Sequence, residues 1–252
     1  MPCVNPTITA CGPGAAHAAS NGVDPYATRF VARDFNRVWS PAILDSAEDN
    51  PELARARQIR PLIESADLLL DLHATPYEAC PFFPLRPGTS KARTLAEQLG
   101  QPHTILAFEQ GSVHSPTIAN HGRFSDPDHP AVGITVECGL FFARASAAVA
   151  LSTVGRLLHL HAMIDDATRD ALVTWHDPVP RRQITVLAPE IATTANIKLL
   201  FRPESFAPYA KGAIVGWDGD RPMQAPFDGA VPLWIKQTFV AGEQAFMWAR
   251  LE

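Results

Sequence analysis

Residues 68–73 read LLLDLH, and no other stretch limits the fold as tightly. A short, continuous apolar run fits a strand covered on both faces, and such strands belong to mostly parallel sheets flanked by helices. The run finishes on Asp71, Leu72 and His73. Side chains alternate along a strand, so Asp71 and His73 share one face. They stand at the carboxyl end, where α/β folds gather their ligand sites. A histidine there, with ATPYEACP as its loop, is placed to bind a metal while Asp71 orients its ring. The plain alternative is a hydrogen-bonded histidine that merely closes the strand.

The neighbouring segments agree with an α/β arrangement. A helix is predicted near 51–65, capped by Asn50 and opened by Pro51, with Leu53, Ile59, Leu62 and Ile63 roughly on one face. A second spans about 90–99, from Ser90 to a stop at Gly100. TILAFEQ and GITVECG read as strands, and 143–168 as one long helix. After HDPVPRR the texture changes: QITVLAP, GAIVGW, GAVPLWIK and QAFMWARL are short strands between Gly, Pro and Asp turns. A boundary near 178 therefore separates an α/β portion, 1–177, from a small all-β domain, 178–252. Residues 1 to about 28, rich in Gly, Ala and Pro, read as a loop.

Composition excludes several classes. The 252 residues can bury a sizeable core, and 46% hydrophobic with 19% charged residues is ordinary for a globular protein. With 21 basic and 26 acidic side chains the net charge is -5, and no basic stripe forms, so neither a nucleic acid nor an anionic membrane is favoured as partner. A homo-oligomer remains open. No run has the length of a membrane span, and the start lacks the order of a signal peptide. Cys3, Cys11, Cys80 and Cys138 show no CxxC or framework spacing, which suits a reducing cytoplasm.

Two further motifs set charged groups against apolar ones. RFVARDFNR packs Arg29, Arg33, Asp34, Asn36 and Arg37 together, a cluster able to pin a carboxylate through guanidinium contacts with an amide adding direction. A solvated loop with an Arg–Asp pair is the plain alternative. GITVECG ends a strand on Glu137, where a carboxylate can act as general base on a metal-bound water or, more plainly, face solvent.

Taken in order, an R-x(4)-D-F-N-R box, a DLH strand and a strand ending Glu-x-Gly resemble the succinylglutamate desuccinylase/aspartoacylase family, relatives of the zinc carboxypeptidases. Asn5-Pro6 resembles the family's Asn-Pro, and the small C-terminal β domain agrees. The resemblance implies a carboxypeptidase-like, mostly parallel mixed sheet flanked by helices. It implies a zinc-dependent hydrolase that cleaves the acyl group from a small anionic N-acyl amino acid. His73 would be a zinc ligand with Asp71 behind it, and Glu137 the proton shuttle. Arg29 would steady the oxyanion, Asn36 and Arg37 would hold the α-carboxylate, and Arg123 is the candidate second carboxylate-binding arginine.

The chain departs from the family at several points. The family's H-G-x-E metal motif lies ahead of the Asn-Pro, and here there is no room for it; His17, the nearest histidine, has Ser20 where the glutamate belongs. His73 alone does not make a catalytic zinc site, which takes three protein ligands. Two ligands and two N-terminal strands are thus expected to be absent. Three explanations stand: a start internal to a longer protein, which we favour; an inactive relative; or a site rebuilt from His17, His103, His114, His121, His129 or a cysteine, which would have to converge within about 2.0–2.3 Å of one ion. Phe239 or Val240 falls where the family can place a substrate-facing Tyr. Tyr77, Phe82 and Phe83 are candidates for an acyl pocket, or simply core. Two rivals follow: a metal-free module that binds acyl-amino acids, and a thiol hydrolase using Cys80 or Cys138.

Overall fold

The computed structural model describes residues 30–75, 79–109, 117–141, 143–200, 206–236 and 238–252. Asn5, Pro6, His17, Arg29, Tyr77 and His114 lie outside them. After a 3-10 turn at Phe35–Arg37 come α1 (Pro41–Leu44), α2 (Pro51–Ser65), β1 (Leu68–Thr75), β2 (Phe82–Leu85), α3 (Ser90–Leu99) and β3 (Thr104–Phe108). Two 3-10 turns, Ile118–Asn120 and Gly122–Phe124, lead to β4 (Val132–Leu140), α4 (Arg144–Leu160) and α5 (Asp166–Leu172). The remaining strands are β5 (Arg182–Ile191), β6 (Ile197–Leu199), β7 (Ile214–Asp218), β8 (Arg221–Gln224), β9 (Ala230–Leu233) and β10 (Gln244–Leu251).

The large sheet has the order β1-β4-β2-β3-β5-β10-β9. Pairings β1–β4, β2–β3 and β3–β5 are parallel, and β4–β2, β5–β10 and β10–β9 antiparallel. Three strands from beyond 178 thus continue the large sheet, while β6, β7 and β8 form a small antiparallel sheet. The fold is the expected mostly parallel mixed sheet with helices on it and a small β sheet beside it.

Local chemistry sets the helices. The Asn50 side chain accepts the Leu53 N–H at 2.9 Å to start α2, and α3 stops at Gly100, whose φ of 75° is the left-handed conformation glycine adopts freely. The buried face of α2 is Leu53, Ala56, Ile59 and Ile63; Leu62 points outward. The long helix expected over 143–168 is two helices. Ala162 turns to a φ of 53°, and the Asp165 carboxylate accepts the Thr168 N–H at 2.8 Å, capping α5 afresh. Strand β2 was hidden in the sequence by Pro81 and Pro84, since proline cannot donate to a ladder.

Two cores lie on opposite faces of the parallel strands. Phe83, Leu85, Ile134, Val136 and Cys138 meet α3 and α4, while Phe35, Val38, Trp39 and Ile118 pack with α2 on the other side. Gly133 lets the 3-10 turn at Ile118 lie flat on β4: a Cβ there would fall 2.9 Å from the Ala119 carbonyl carbon.

In the small sheet Asp218 is fully buried. Burial alone would push its carboxyl up, but the N–H and hydroxyl groups of Thr193 and Thr194, at 2.6–2.9 Å, and the Arg221 guanidinium outweigh this and hold it well below the usual carboxylate range. A carboxyl depressed on folding stabilises the protein above its unfolded pKa of about 3.9 and loses that contribution as pH falls further. Urea midpoints should therefore drop from pH 5 to pH 2, and Asp218→Asn should flatten that slope. An unchanged slope in the variant would refute this assignment.

Candidate functional site

The pairing register places a row of side chains across five strands on one face of the large sheet. His73 of β1 is the partner of Glu137 of β4, Glu137 of Phe82 in β2, Phe82 of Thr104 in β3, and Thr104 of Arg182 in β5. Asp71 and Thr135, also register partners, lie two residues back on the same face.

Around His73 the contacts are close. Its Nε2 is 3.0 Å from Asp71 Oδ2, and its Nδ1 is 3.9 Å from Glu137 Oε1. Asp71 Oδ2 also accepts from the Thr135 hydroxyl at 3.4 Å and the Asn36 amide at 3.3 Å. The Asn36 amide is fixed, because its Oδ1 accepts the Ile118 N–H at 2.8 Å while its Nδ2 lies 3.0 Å from His73 Nε2. The Asn36 amide presents a donor and the Asp71 carboxylate an acceptor to the same Nε2, so the ring is held in place from that side while Nδ1 faces Glu137.

The arginine-rich loop is organised rather than solvated. The buried Glu52 of α2 accepts the Val31 N–H at 2.6 Å and the Ala32 N–H at 3.3 Å. Asp34 accepts the Asn36 N–H at 2.9 Å to start the 3-10 turn. Arg37 donates to the Asn36 carbonyl at 2.8 Å, and Arg33 pairs outward with Glu48. The sequence reading overlooked Arg86. It stands one residue past the end of β2 and continues the alternation of Phe82 and Pro84, and burial with the nearby Arg37 guanidinium lowers its pKa to about 10. Arg37 is exposed and Arg86 half-buried, and the two guanidiniums set a pole of positive charge to which an anion would be drawn. Nothing in the sequence marks Arg86 without the β2–β4 pairing.

Other candidates lie elsewhere. Arg123 donates to the Ala66 carbonyl at 2.8 Å, before β1 begins, at the opposite end of that strand from His73. His103 reaches the Val179 carbonyl at 2.6 Å, His129 accepts the Ala131 N–H, and His121 joins the Trp39 carbonyl to Glu64. Phe82 and Phe83 are both buried and face opposite sides of the sheet; Phe239 packs against the core of the small sheet. Burial, with the Glu137 charge adding to it, pushes the Cys138 thiol up to about 12, and burial raises Cys80 despite Arg182 beside it. Neither thiol is poised as a nucleophile at neutral pH.

Among the described residues no group of three or more His, Cys, Asp and Glu side chains could hold a metal ion. His73 supplies one nitrogen, braced by a carboxylate, where a catalytic zinc takes three protein ligands. By themselves the described residues do not fit zinc. Nor is any described helix long and apolar enough to cross a membrane.

Fold and row together define a class: a mixed α/β sheet with a braced histidine and a glutamate at the carboxyl ends of adjacent parallel strands. Solved structures of that fold are members of the succinylglutamate desuccinylase/aspartoacylase family. A succinylglutamate desuccinylase from Vibrio parahaemolyticus is 20% identical with a TM-score of 0.59, over 94% of this chain and 69% of that one. A succinylglutamate desuccinylase/aspartoacylase from Rhodobacter sphaeroides is 14% identical with a TM-score of 0.64, over 89% and 70%. Murine aminoacylase 3 is 16% identical with a TM-score of 0.58, over 95% and 82%. At these identities the likeness is one of fold. No family model matches the chain, and no curated protein sequence matches it significantly.

Proposed function

We propose that the protein hydrolyses the amide bond of a small, anionic N-acyl amino acid. The observation that carries this reading is the His73–Glu137 register pair, with Asp71 behind the imidazole and Asn36, the neighbour of Arg37 in sequence, against both. In it Glu137 takes a proton from the attacking water and returns it to the departing amine, as a positioned carboxylate can. Arg37, with Arg86 and Asn36 near it, receives the substrate carboxylate and so aims the amide at the row. Asp71, steadied by Thr135, fixes the His73 ring. The resemblance in sequence also calls for zinc, for Arg29 at the oxyanion and for Arg123 at the carboxylate. Of the described residues, His73 alone stands as a candidate ligand for that metal.

The test is release of free amino acid from a panel of N-acetyl and N-succinyl amino acids, with metal content measured on the same preparation. Release that a chelator abolishes and zinc restores supports the zinc-dependent form of the reading. Release that a chelator does not touch supports hydrolysis and removes zinc from it. No release from any member sinks the hydrolase. A single braced histidine beside an intact guanidinium pole favours one second reading, a binding module. It requires carboxylate binding that ignores chelators and is lost in Arg37→Ala.

A further inference from the structure

The row that begins at His73 and Glu137 runs directly into a box of aromatic rings. Phe82, the register partner of Glu137, meets Trp234 at 6.0 Å and Phe206 at 6.1 Å between ring centroids, both edge to face. Trp234 in turn stacks on Phe108, with centroids 4.8 Å apart and planes 19° from parallel. The Arg182 guanidinium, next in the row, lies 5.4 Å from the Phe206 ring centre. Phe82 and Phe206 are buried, whereas Phe108 and Trp234 keep part of their surface open.

Phe82 and Phe206 belong to one hydrophobic core and Phe108 and Trp234 pack against it, so the box is the open edge of that core, and two features mark this edge. Phe206 and Trp234 have φ values of 41° and 51°, in the left-handed region that bulky L-residues seldom occupy. Backbone held in such conformations clusters at ligand clamps and catalytic centres. The register also joins the box to the reacting row without an intervening strand. Phe108 lies on the face of Arg86, since Leu85 pairs with Ala107, so the open stack spans from the level of Glu137 toward the guanidinium pole.

We propose that the Phe108–Trp234 stack is the subsite for a planar aryl group of the N-acyl amino acid. This rests on the reading above and makes it sharper: the preferred substrate joins a carboxylate to an aromatic ring through the amide. The ring can belong to the acyl group or to the amino acid, and both present the same π-face to Trp234.

Three compounds separate these sources: N-benzoylglycine, N-acetylphenylalanine and N-acetylglycine. Both kcat/KM and, by equilibrium dialysis, affinity are measured for the wild type, Trp234→Ala and Trp234→Phe. Burial of a phenyl ring predicts a preference of about 10–100-fold for one aryl compound over N-acetylglycine. That ratio should fall toward one in Trp234→Ala and persist largely in Trp234→Phe, with both variants folded by circular dichroism. If N-benzoylglycine is preferred the ring is the acyl group's, and if N-acetylphenylalanine, the side chain's. No preference for either aryl compound overturns the inference, as does a preference that survives Trp234→Ala. If aryl compounds bind selectively but nothing is hydrolysed, the hydrolase reading falls and the subsite stands. Hydrolysis without aryl preference does the reverse, and neither binding nor hydrolysis removes both.

Discussion

Glu137→Gln should lower amide hydrolysis by about 10²–10⁴-fold while leaving ligand affinity within a few-fold of wild type. The amide keeps the shape and much of the hydrogen bonding of the carboxylate but cannot take a proton from water. Glu137 sits on a covered strand between Val136 and Cys138, both buried, so its position is set by the core rather than by its own contacts. The variant should therefore fold, and dialysis against the best substrate separates binding from chemistry. A variant that loses affinity and rate together would make Glu137 a binding residue. One that keeps its rate would remove it from the reaction.

The second large effect is expected far from the chemistry, at Lys91. Its ammonium, near the start of α3, donates to the carbonyls of Arg123, Asp126, His129 and Ala131 at 2.6–3.1 Å. An ammonium has three protons, so four carbonyls share them, and the loop before β4 is folded around this one charge. Lys91→Met would leave those carbonyls without their donor, at a cost of about 2–4 kcal/mol. Urea denaturation would measure it. That loop also delivers the Ile118 N–H to Asn36 and His121 to Trp39, so carboxylate binding should weaken alongside stability. A loss below about 0.5 kcal/mol would show that water replaces the ammonium without penalty.

What the sequence makes legible follows from how local each signal is. Asn50, Pro51 and Gly100 mark helix ends through their own backbone preferences, and period-two alternation is enough to put Asp71 and His73 on one face. The break at Ala162 is harder to see, because AMI continues an apolar pattern while only Asp165, a cap that can also sit inside a helix, announces the next one. Strand β2 is obscured by prolines that count against any strand. The site splits the same way. His73, Asp71, Asn36 and Glu137 sit in boxes that each have a plain reading alone and point to a site only when taken in order. Arg86 and Phe108 come beside them only through the pairings of β2 with β4 and β3, and Trp234 only through its contacts with Phe82 and Phe108, none of which a short window encodes. Arg123, chosen by its place ahead of a strand, lies at the other end of β1.

The pairing of β4 with β2 has a mechanical consequence. Among the described residues their register consists of one pair, Glu137 with Phe82, whereas β1–β4 and β3–β5 are joined over much longer stretches. The large sheet is in effect two stiff leaves sewn together by a single stitch, and the stitch lies beside the imidazole and the aromatic rings. One leaf carries the carboxylates and the histidine, the other the indole and the guanidinium of Arg182. A molecule resting across that seam touches both leaves at once and fastens them together, so the fold is least tied by its own backbone at the point where an occupant would tie it best.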